Sequence, residues 1–196
     1  MQRSVLSRSQ RVSTDMRLVH VYTVLVFPLL LSACLDIKPG SYTELPEDMQ
    51  ISEYGTLLAQ GKVVRVVDAD TLTIMGSDGK NYKIRLQGID APEKKQNYGA
   101  LCKDKLSTMV LNQRVDVEAY KKDRYGRIVA KVMIDDRDMA LELIRQGCGW
   151  HYKDYADDQS WSDRRNYAAA EKQARNGSLG LWRDALPEAP WDYRRR

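Results

Sequence analysis

The alternation of apolar and polar residues in the central part of the chain predicts three β-strands joined by short turns. Apolar and β-branched residues are concentrated at residues 57–67, with a bend at Gly61, and again at residues 71–75 and 80–87. Such alternation with a period of two is typical of strands that bury one face. The glycine-containing segment at residues 76–79 suits a tight hairpin turn between the second and third strands. The pattern therefore predicts the first strands of a sheet.

Farther along the chain, segments with helical periodicity alternate with two more strands. The predicted helices cover residues 98–111, 139–146 and 161–176, and the predicted strands cover residues 115–119 and 128–134. Asp138 and Ser160 are suited to cap the second and third helices at their N-termini, and Gly147 and Gly177 are suited to end them. In all, the pattern predicts five strands and three helices.

Residues 1–33 have the features of a secretory signal. A short apolar run at residues 20–33 follows a positively charged flank, is too short to span a bilayer comfortably, and ends in small residues. Residues 31–34 resemble the lipobox of bacterial lipoproteins, which implies that Cys34 is acylated and becomes the first residue after cleavage. Met16 is a more natural signal start than Met1. Cleavage near Cys34 without lipidation is the alternative reading.

A lipoprotein signal implies a lipid-anchored protein of the bacterial cell envelope. The residue after the cysteine is Leu35 rather than aspartate, which favours the outer membrane by resemblance to lipoprotein sorting in two-membrane bacteria. The domain would then be periplasmic or surface-exposed.

Composition suggests a single domain between two extensions. Residues 34–54 contain the cysteine and a segment rich in Pro, Gly, Ser and acidic residues, which we interpret as a linker. Residues 55–183 form the predicted domain, and residues 184–196 form a C-terminal tail. We expect residues 187–196, which contain prolines and end in arginines, to be disordered.

Charge and histidine content limit the function without selecting a substrate. The formal net charge of the 196 residues is +4, but residues 1–33 contribute +3 through four arginines and one aspartate, which leaves +1 for the rest. Attraction for a polyanion must then come from local clusters of charge. The chain has only two histidines, His20 and His151, so we do not expect zinc.

The cysteines leave two interpretations open. If Cys34 is acylated, Cys102 and Cys148 are the cysteines that remain. An exported protein permits a disulfide between them, but two buried free thiols fit the sequence equally well.

Acidic residues and an arginine stand at the ends of the predicted strands. Asp68 and Asp70 follow the first strand, and Asp90 and Glu93 follow the third. Arg85 lies in the third strand and points away from its apolar face, because side chains alternate along a strand. Hard oxygen ligands beside a guanidinium predict a divalent cation and a phosphate in one pocket.

A second arginine follows a basic turn at residues 121–127. Gly126 permits the backbone to turn, and Arg127 then begins a strand that restricts its direction. Two arginines in fixed positions can share the negative charge of a phosphodiester transition state. The alternative is a solvated basic hairpin tip.

Three segments together resemble a known family. Residues 67–71, 85–93 and 123–127 look like the three signature motifs of the staphylococcal nuclease-like (thermonuclease) family, and the resemblance covers about residues 61–182. It implies an α+β fold, an OB-type five-stranded β-barrel with three helices. It also implies a calcium-dependent phosphodiesterase that cuts DNA and RNA. Ala69 stands where the motif commonly has glycine.

The resemblance implies a role for each matched residue. The implied calcium ligands are Asp70, Asp90 and the Ala91 carbonyl, the phosphate-binding arginines are Arg85 and Arg127, and the general base is Glu93. Asp68 matches an acidic neighbour of the metal site. Arg124 and Tyr125 are candidate substrate contacts.

An aromatic and basic segment at residues 149–155 supplies further candidates. Tyr152 is a third candidate substrate contact and, with Tyr155, could stack on bases. Trp150 and these tyrosines could instead brace the barrel against its helices.

We therefore expect a monomeric, lipid-anchored, calcium-dependent nuclease with DNA, RNA or both as substrate. A catalytically inactive module that binds nucleic acid or protein is the main alternative, and an envelope scaffold is the third.

Overall fold

The computed structural model describes residues 50–51 and 57–196. The predicted signal, Cys34 and most of the linker lie outside these residues. In the part of the chain that is described, none of the helices is both long and apolar enough to cross a membrane.

The described residues form strands and helices in a mixed order. The strands are β1 (Gln50–Ile51), β2 (Leu57–Asp68), β3 (Thr71–Met75), β4 (Asn81–Leu86), β5 (Ile89–Asp90), β6 (Arg114–Lys122), β7 (Ile128–Ile134), β8 (Arg137–Asp138) and β9 (Trp150–His151). The α-helices are α1 (Gly99–Val110), α2 (Met139–Arg145), α3 (Trp161–Asn176) and α4 (Pro190–Tyr193), with 3₁₀ turns at Lys153–Asp158 and Gly180–Arg183.

Five of the strands close into a barrel. They are neighbours in the order β2, β3, β4, β7 and β6, and β6 pairs again with β2. The β4–β7 pair is parallel, whereas the other pairs of the barrel are antiparallel. With α1, α2 and α3 packed around it, this closed barrel confirms the predicted OB-type α+β fold.

The barrel closes because β2 is long enough to pair with two different strands. Its first half, from Leu57 to Lys62, pairs with β6, and its second half, from Lys62 to Asp68, pairs with β3. Gly61 lies at the exchange of partners, where a Cβ atom would come within 3.0 Å of the Met75 carbonyl oxygen. Glycine therefore permits the close approach of backbones at this corner.

The predicted alternation of the strands is confirmed by burial. Val63, Leu72, Ile74, Ile84 and Leu86 are almost fully buried inside the barrel. Their neighbours along each strand consequently point outward. The outer face of β4 is the one that carries Arg85.

Helices α2 and α3 begin at the N-caps that the sequence predicted for them. The Asp138 carboxylate accepts hydrogen bonds from the backbone N–H groups of Ala140 and Leu141 at the start of α2. Ser160 accepts one from the Asp163 N–H at the start of α3. The buried Tyr167 hydroxyl on α3 donates to Asp138 at 2.6 Å, so one carboxylate caps α2 and joins it to α3. Burial raises the pKa of this carboxyl, and these hydrogen bonds oppose the effect.

The expectation of a disordered C-terminal tail was wrong. The segment forms α4, in which Pro190 is buried, and Ala189 packs with Trp150 and Trp182. Gln96 also donates a hydrogen bond to the Glu188 carbonyl at 2.7 Å. Apolar burial and specific hydrogen bonds order the segment, and neither follows from its local composition.

In the structure Cys102 and Cys148 form a disulfide. Cys102 lies on α1, Cys148 follows α2, and 46 positions separate them in sequence. Both residues are fully buried. The bond therefore fixes α1 against the end of α2.

Replacing Cys102 and Cys148 together with alanine should lower the free energy of unfolding by about 2–4 kcal/mol, because the bond restricts a long loop in the unfolded chain. Urea denaturation followed by tryptophan fluorescence measures the change. A reducing agent should reproduce the loss in the wild type and leave the variant unaffected. Coincident curves for the oxidised wild type and the variant would contradict a stabilising disulfide.

Candidate active site

The ends of several strands meet at one side of the barrel and form a cleft of about 660 Å³. It contains all nine residues singled out for catalysis, metal binding or substrate contact: Asp70, Arg85, Asp90, Ala91, Glu93, Arg124, Tyr125, Arg127 and Tyr152. Asp68, Tyr155 and Arg194 also line it. The fold thus brings together residues that are widely separated in sequence.

The first carboxylates lie on the tight turn between β2 and β3. The Leu86 N–H at the end of β4 donates to the Asp70 carbonyl at 2.9 Å, which fixes this turn beside the next strand. The Asp70 side chain accepts a 2.8 Å hydrogen bond from the Thr71 hydroxyl. Ala69 does not adopt a positive φ, so alanine introduces no backbone strain in place of glycine.

Arg85 connects the turn to the chain after β4. One guanidinium nitrogen donates to the Ile89 carbonyl at 2.9 Å and lies 3.5 Å from an Asp70 oxygen. The other donates to Asp90 at 3.1 Å. The side chain is only 14% exposed, so its direction is restricted on several sides. Its planar donors therefore hold two carboxylates and a backbone carbonyl in fixed relation.

Asp90 is the most deeply buried charged group of the cleft. It lies on β5, which pairs with β9 through Asp90 and Trp150, and its side chain has no exposed area. Burial raises the pKa of the Asp90 carboxyl, and the positive charges of Arg194 and Arg85 oppose that effect. A carboxylate in this position depends on its arginine partners to remain ionised.

Glu93 and Asp68 are further acidic groups of the cleft. The Glu93 N–H donates to Gln96 Oε1 at 3.0 Å, which holds the chain after β5, while the carboxylate is 36% exposed to the cleft. Burial raises the pKa of Asp68, with further increases from the negative charges of Asp70 and Glu93. These carboxylates are therefore close enough to repel one another.

The parallel pairing of β4 and β7 places the second arginine. Ile84 is opposite Ile128, so Arg127 lies on the same outer face as Arg85. Asp123 positions Arg127, because the Asp123 carboxylate accepts a 2.7 Å hydrogen bond from Arg127 Nε. Arg127 Nη1 is 3.5 Å from the Thr71 hydroxyl, which itself bonds to Asp70. The basic hairpin is therefore more than a solvated tip, since its last arginine is directed into the cleft.

Aromatic and basic side chains form the outer part of the cleft. Tyr125 is 68% exposed, and the guanidinium carbons of Arg124 and Arg127 lie 4.9 and 5.4 Å from its ring centre. Tyr152 is near Tyr155, with ring centres 5.1 Å apart. Trp150, by contrast, is buried against Trp182, the position expected of a residue that braces the barrel against its helices. Rings and cations in one cleft suit an unpaired nucleotide strand.

The donor set suits a hard divalent cation only in part. Among the described residues, no group of three or more His, Cys, Asp or Glu side chains is placed to hold a metal ion. Asp70 and Asp90 are carboxylates that approach Arg85 together, and Ala91 offers only a carbonyl. These donors are all oxygen atoms, as calcium requires, but the six to eight ligands of calcium would also need water or substrate. The residues are therefore chemically compatible with calcium as an incomplete set.

Sequence patterns did not identify Arg194, which lines the cleft, or Trp191, which packs against a residue that lines it. The guanidinium of Arg194 pairs with Asp90 at 2.8 Å and with Glu93 at 2.8 Å. Trp191 stacks on Tyr152, with ring centres 5.7 Å apart and planes 13° from parallel. The hydrogen bonds to Asp90 and Glu93 raise the pKa of Arg194 above its already high ordinary value. The contacts of Arg194 join positions about a hundred residues apart, and the run of arginines at residues 194–196 was the only signal of them in the sequence.

Asp123→Asn should remove the ionic contact that positions Arg127 and keep the backbone hydrogen bonds that shape the turn. Asn keeps an oxygen for the backbone N–H groups of Tyr125 and Arg127 but loses the charge that holds the guanidinium. Burial alone would raise the pKa of Asp123, but hydrogen bonds from Arg127 and Tyr125 outweigh burial and lower it. Stability from the ionised form is thus present above the unfolded pKa of about 4 and is lost as the pH falls through the folded pKa.

We therefore expect Asp123→Asn to lower the free energy of unfolding by about 1–2 kcal/mol at pH 7, a deficit that shrinks below about pH 4. Denaturant titrations at neutral and acid pH measure it. Asp135→Asn, in the exposed turn after β7, is the matched control and should show little deficit at either pH. A deficit for Asp123→Asn that does not change with pH would rule out the ion pair as its cause.

Comparison with a protein-family profile agrees with this geometry. The profile described as "Staphylococcal nuclease homologue" matches residues 83–184, slightly more than half of the chain. The matched segment begins in β4 and contains Arg85, Asp90, Glu93 and Arg127. Asp70 lies before it.

Individual relatives extend the match. An "Uncharacterized endonuclease" of Escherichia coli is 40% identical over 137 residues, which are 69% of this chain and 85% of that protein. Another protein of that name from Haemophilus influenzae is 38% identical over 135 residues, 69% of this chain and 72% of its own. The "Probable staphylococcal-like nuclease CAN1" of Oryza sativa is 42% identical over 116 residues, 59% of this chain but 33% of the rice protein. By profile and by these relatives, the chain belongs to the family of staphylococcal nuclease homologues.

Proposed function

We propose that this protein is a calcium-dependent nuclease that hydrolyses phosphodiester bonds of DNA, RNA or both. One observation carries the proposal. Arg85 holds Asp70 and Asp90 together at the strand ends of a single cleft. Arg127 and Glu93 line the same cleft, and homologues named as endonucleases support the assignment.

Two arginines on one face of the barrel bind the scissile phosphate. Arg85 is restricted by Asp90 and the Ile89 carbonyl, and Arg127 is restricted by Asp123. Because both are positioned before the substrate arrives, little reorganisation is needed when negative charge develops on the phosphorus oxygens. Together they stabilise the five-coordinate transition state.

Calcium held by Asp70, Asp90 and the Ala91 carbonyl would supply positive charge that polarises the phosphate. Glu93 accepts the proton of the attacking water, for which its partly exposed carboxylate is suited. The water oxygen forms a bond to phosphorus, and the bond from phosphorus to the 5′ oxygen breaks. The 5′ oxygen takes a proton from solvent water and leaves as a hydroxyl, and the other fragment keeps a 3′ phosphate.

The rim of the cleft holds the rest of the strand. Arg124 provides positive charge for neighbouring phosphates, and the exposed ring of Tyr125 lies beside it. Tyr152 offers a second ring next to Arg85, whose guanidinium carbon is 5.9 Å from the ring centre. Stacking and charge of this kind favour unpaired strands and tolerate different bases.

We also propose that Cys34 is lipidated and anchors the protein in the bacterial envelope, with the outer membrane as the favoured site. The support is the signal-like segment at residues 20–33 and the lipobox-like residues 31–34. The catalytic domain would then be periplasmic or surface-exposed, at the end of the linker.

The nuclease proposal predicts calcium-dependent cleavage of single-stranded DNA by the full-length protein purified in detergent. Glu93→Gln should reduce the rate by about 10²–10⁴-fold, because the side chain can no longer accept the proton. Glu142→Gln is the matched control, since Glu142 pairs with Arg145 on α2 outside the cleft, and it should retain wild-type activity. Cleavage of labelled oligonucleotides with calcium and with chelator provides the measurement.

Failure to cleave DNA or RNA with any divalent metal, in a protein that unfolds cooperatively, would sink the nuclease proposal. Oligonucleotide binding by that protein would then favour the binding module over a scaffold. Activity retained in Glu93→Gln would remove Glu93 as the base while leaving the nuclease assignment in place.

The anchor predicts that Cys34→Ser moves the protein from the membrane fraction to the soluble fraction when it is expressed in a two-membrane bacterium. The reason is that the acyl chains need the cysteine thiol. Fractionation and metabolic labelling with a radioactive fatty acid measure both effects, with Ser41→Ala as a control in the linker. Wild-type protein that is unlabelled and soluble would refute lipidation.

A further inference from the structure

Residues 187–196 form a strap that packs beside the cleft, and Arg194 of this segment lines the cleft itself. We define the C-terminal strap as residues 187–196, which include α4. Pro190 is buried, and Trp191 contacts Trp150 with ring centres 6.1 Å apart. Gln96 donates to the Glu188 carbonyl with its amide nitrogen and accepts from the Glu93 N–H with its oxygen. The same side chain therefore links the strap to the chain that carries Glu93.

Arg194 of the strap binds both oxygens of the buried Asp90 carboxylate. Its nitrogens donate to Asp90 Oδ1 at 3.2 Å and to Asp90 Oδ2 at 2.8 Å. It also donates to Glu93 Oε1 at 2.8 Å. These are the carboxylates proposed above for cation binding and for water activation.

Trp191 occupies one face of the Tyr152 ring, a second position that a substrate would need. Its indole lies nearly parallel to the Tyr152 ring at a centre-to-centre distance of 5.7 Å. A nucleobase that stacked on this face of Tyr152 would have to displace the indole. The strap thus covers one binding position with a cation and another with an aromatic ring.

A cation and Arg194 cannot both use Asp90 favourably. The Asp90 side chain has no exposed area and already bonds to Arg85 as well. A divalent ion at the same oxygens would meet the charge of the guanidinium at close range in a poorly solvated place, where repulsion is strong. Arg194 itself is 41% exposed and lies outside the strands of the barrel, so it can leave without unfolding the barrel.

We propose that the C-terminal strap is autoinhibitory, with Arg194 bound to Asp90 and Glu93 until a divalent cation and a nucleic acid strand displace it. This inference rests on the proposed nuclease function and adds its regulation. Release of Arg194 frees the carboxylates, and displacement of Trp191 frees the ring of Tyr152. The protein is then least active where calcium is scarce.

The neighbouring residue provides a matched control. Arg195 is 77% exposed and pairs with Asp192 within the strap at 3.3 Å. It has the same charge and nearly the same position in sequence as Arg194. Removing its side chain changes the net charge equally and leaves the contacts of Arg194 in place.

The test is calcium binding by full-length protein in detergent, measured by calorimetry without nucleic acid. Arg194→Ala should bind calcium about tenfold more tightly than the wild type, and Arg195→Ala should remain within about twofold. Cleavage at limiting calcium should rise in Arg194→Ala by a similar factor. At saturating calcium the difference between the proteins should disappear.

A measurement on the wild type does not depend on the variants folding. Hydrogen exchange at residues 193–196 should accelerate when calcium and a phosphorothioate oligonucleotide are added, because the Arg194 N–H otherwise donates to the Pro190 carbonyl. Unchanged exchange in a protein that binds both ligands would overturn the proposal.

The outcomes separate the strap from the nuclease assignment. Equal calcium affinity in the wild type and Arg194→Ala, in a protein that cleaves, overturns the strap alone. Slower cleavage by Arg194→Ala at every calcium concentration also overturns it and makes Arg194 a phosphate ligand instead. Absence of both calcium binding and cleavage in all proteins overturns the nuclease function and the strap with it.

Discussion

The burial of the Asp90 carboxylate is the constraint on which the cleft depends. A charge with no exposed area is stable only when partners replace its water, and Arg85 is the partner built into the barrel. The same guanidinium holds the Ile89 carbonyl and approaches Asp70, so one side chain sets the path of the chain after β4. The geometry of the proposed phosphate and cation positions follows from satisfying that buried charge.

Barrel topology supplies the second arginine. Antiparallel neighbours bring Thr71 opposite Arg85, and the parallel pairing of β4 with β7 then places Arg127 on the same outer face. Apolar residues of these strands fill the interior. Arg85 and Asp90 therefore lie on strands, and Asp70, Glu93 and Arg127 lie on short segments next to strand ends. The disulfide and the Asp138–Tyr167 hydrogen bond stabilise the helices through residues that do not line the cleft. Separation of stability from chemistry is consistent with a preorganised site.

In the proposed regulation, one buried carboxylate serves two competing cations. Arg194 compensates Asp90 and Glu93 while no metal is bound, which relieves the repulsion that these acidic groups would otherwise have. In the proposed cycle a divalent ion replaces that compensation and the cleft becomes competent. The same charge that makes the site reactive therefore makes it a target for the end of its own chain.

The sequence by itself determined the five strands of the barrel, the helices α1, α2 and α3, and the N-caps of α2 and α3. It also determined the positions of Asp70, Arg85, Asp90, Glu93 and Arg127 in strand-end motifs. Alternation, capping and motif spacing are local properties, and together with the family resemblance they predicted the barrel. Only the tertiary structure decided that Arg127 is held by Asp123 and shares a face with Arg85, and that Trp150 braces while Tyr152 faces the cleft. The order of the tail and the contacts of Arg194 were beyond the sequence. They arise from burial against other segments and from charge pairing across about a hundred residues, which no local pattern encodes.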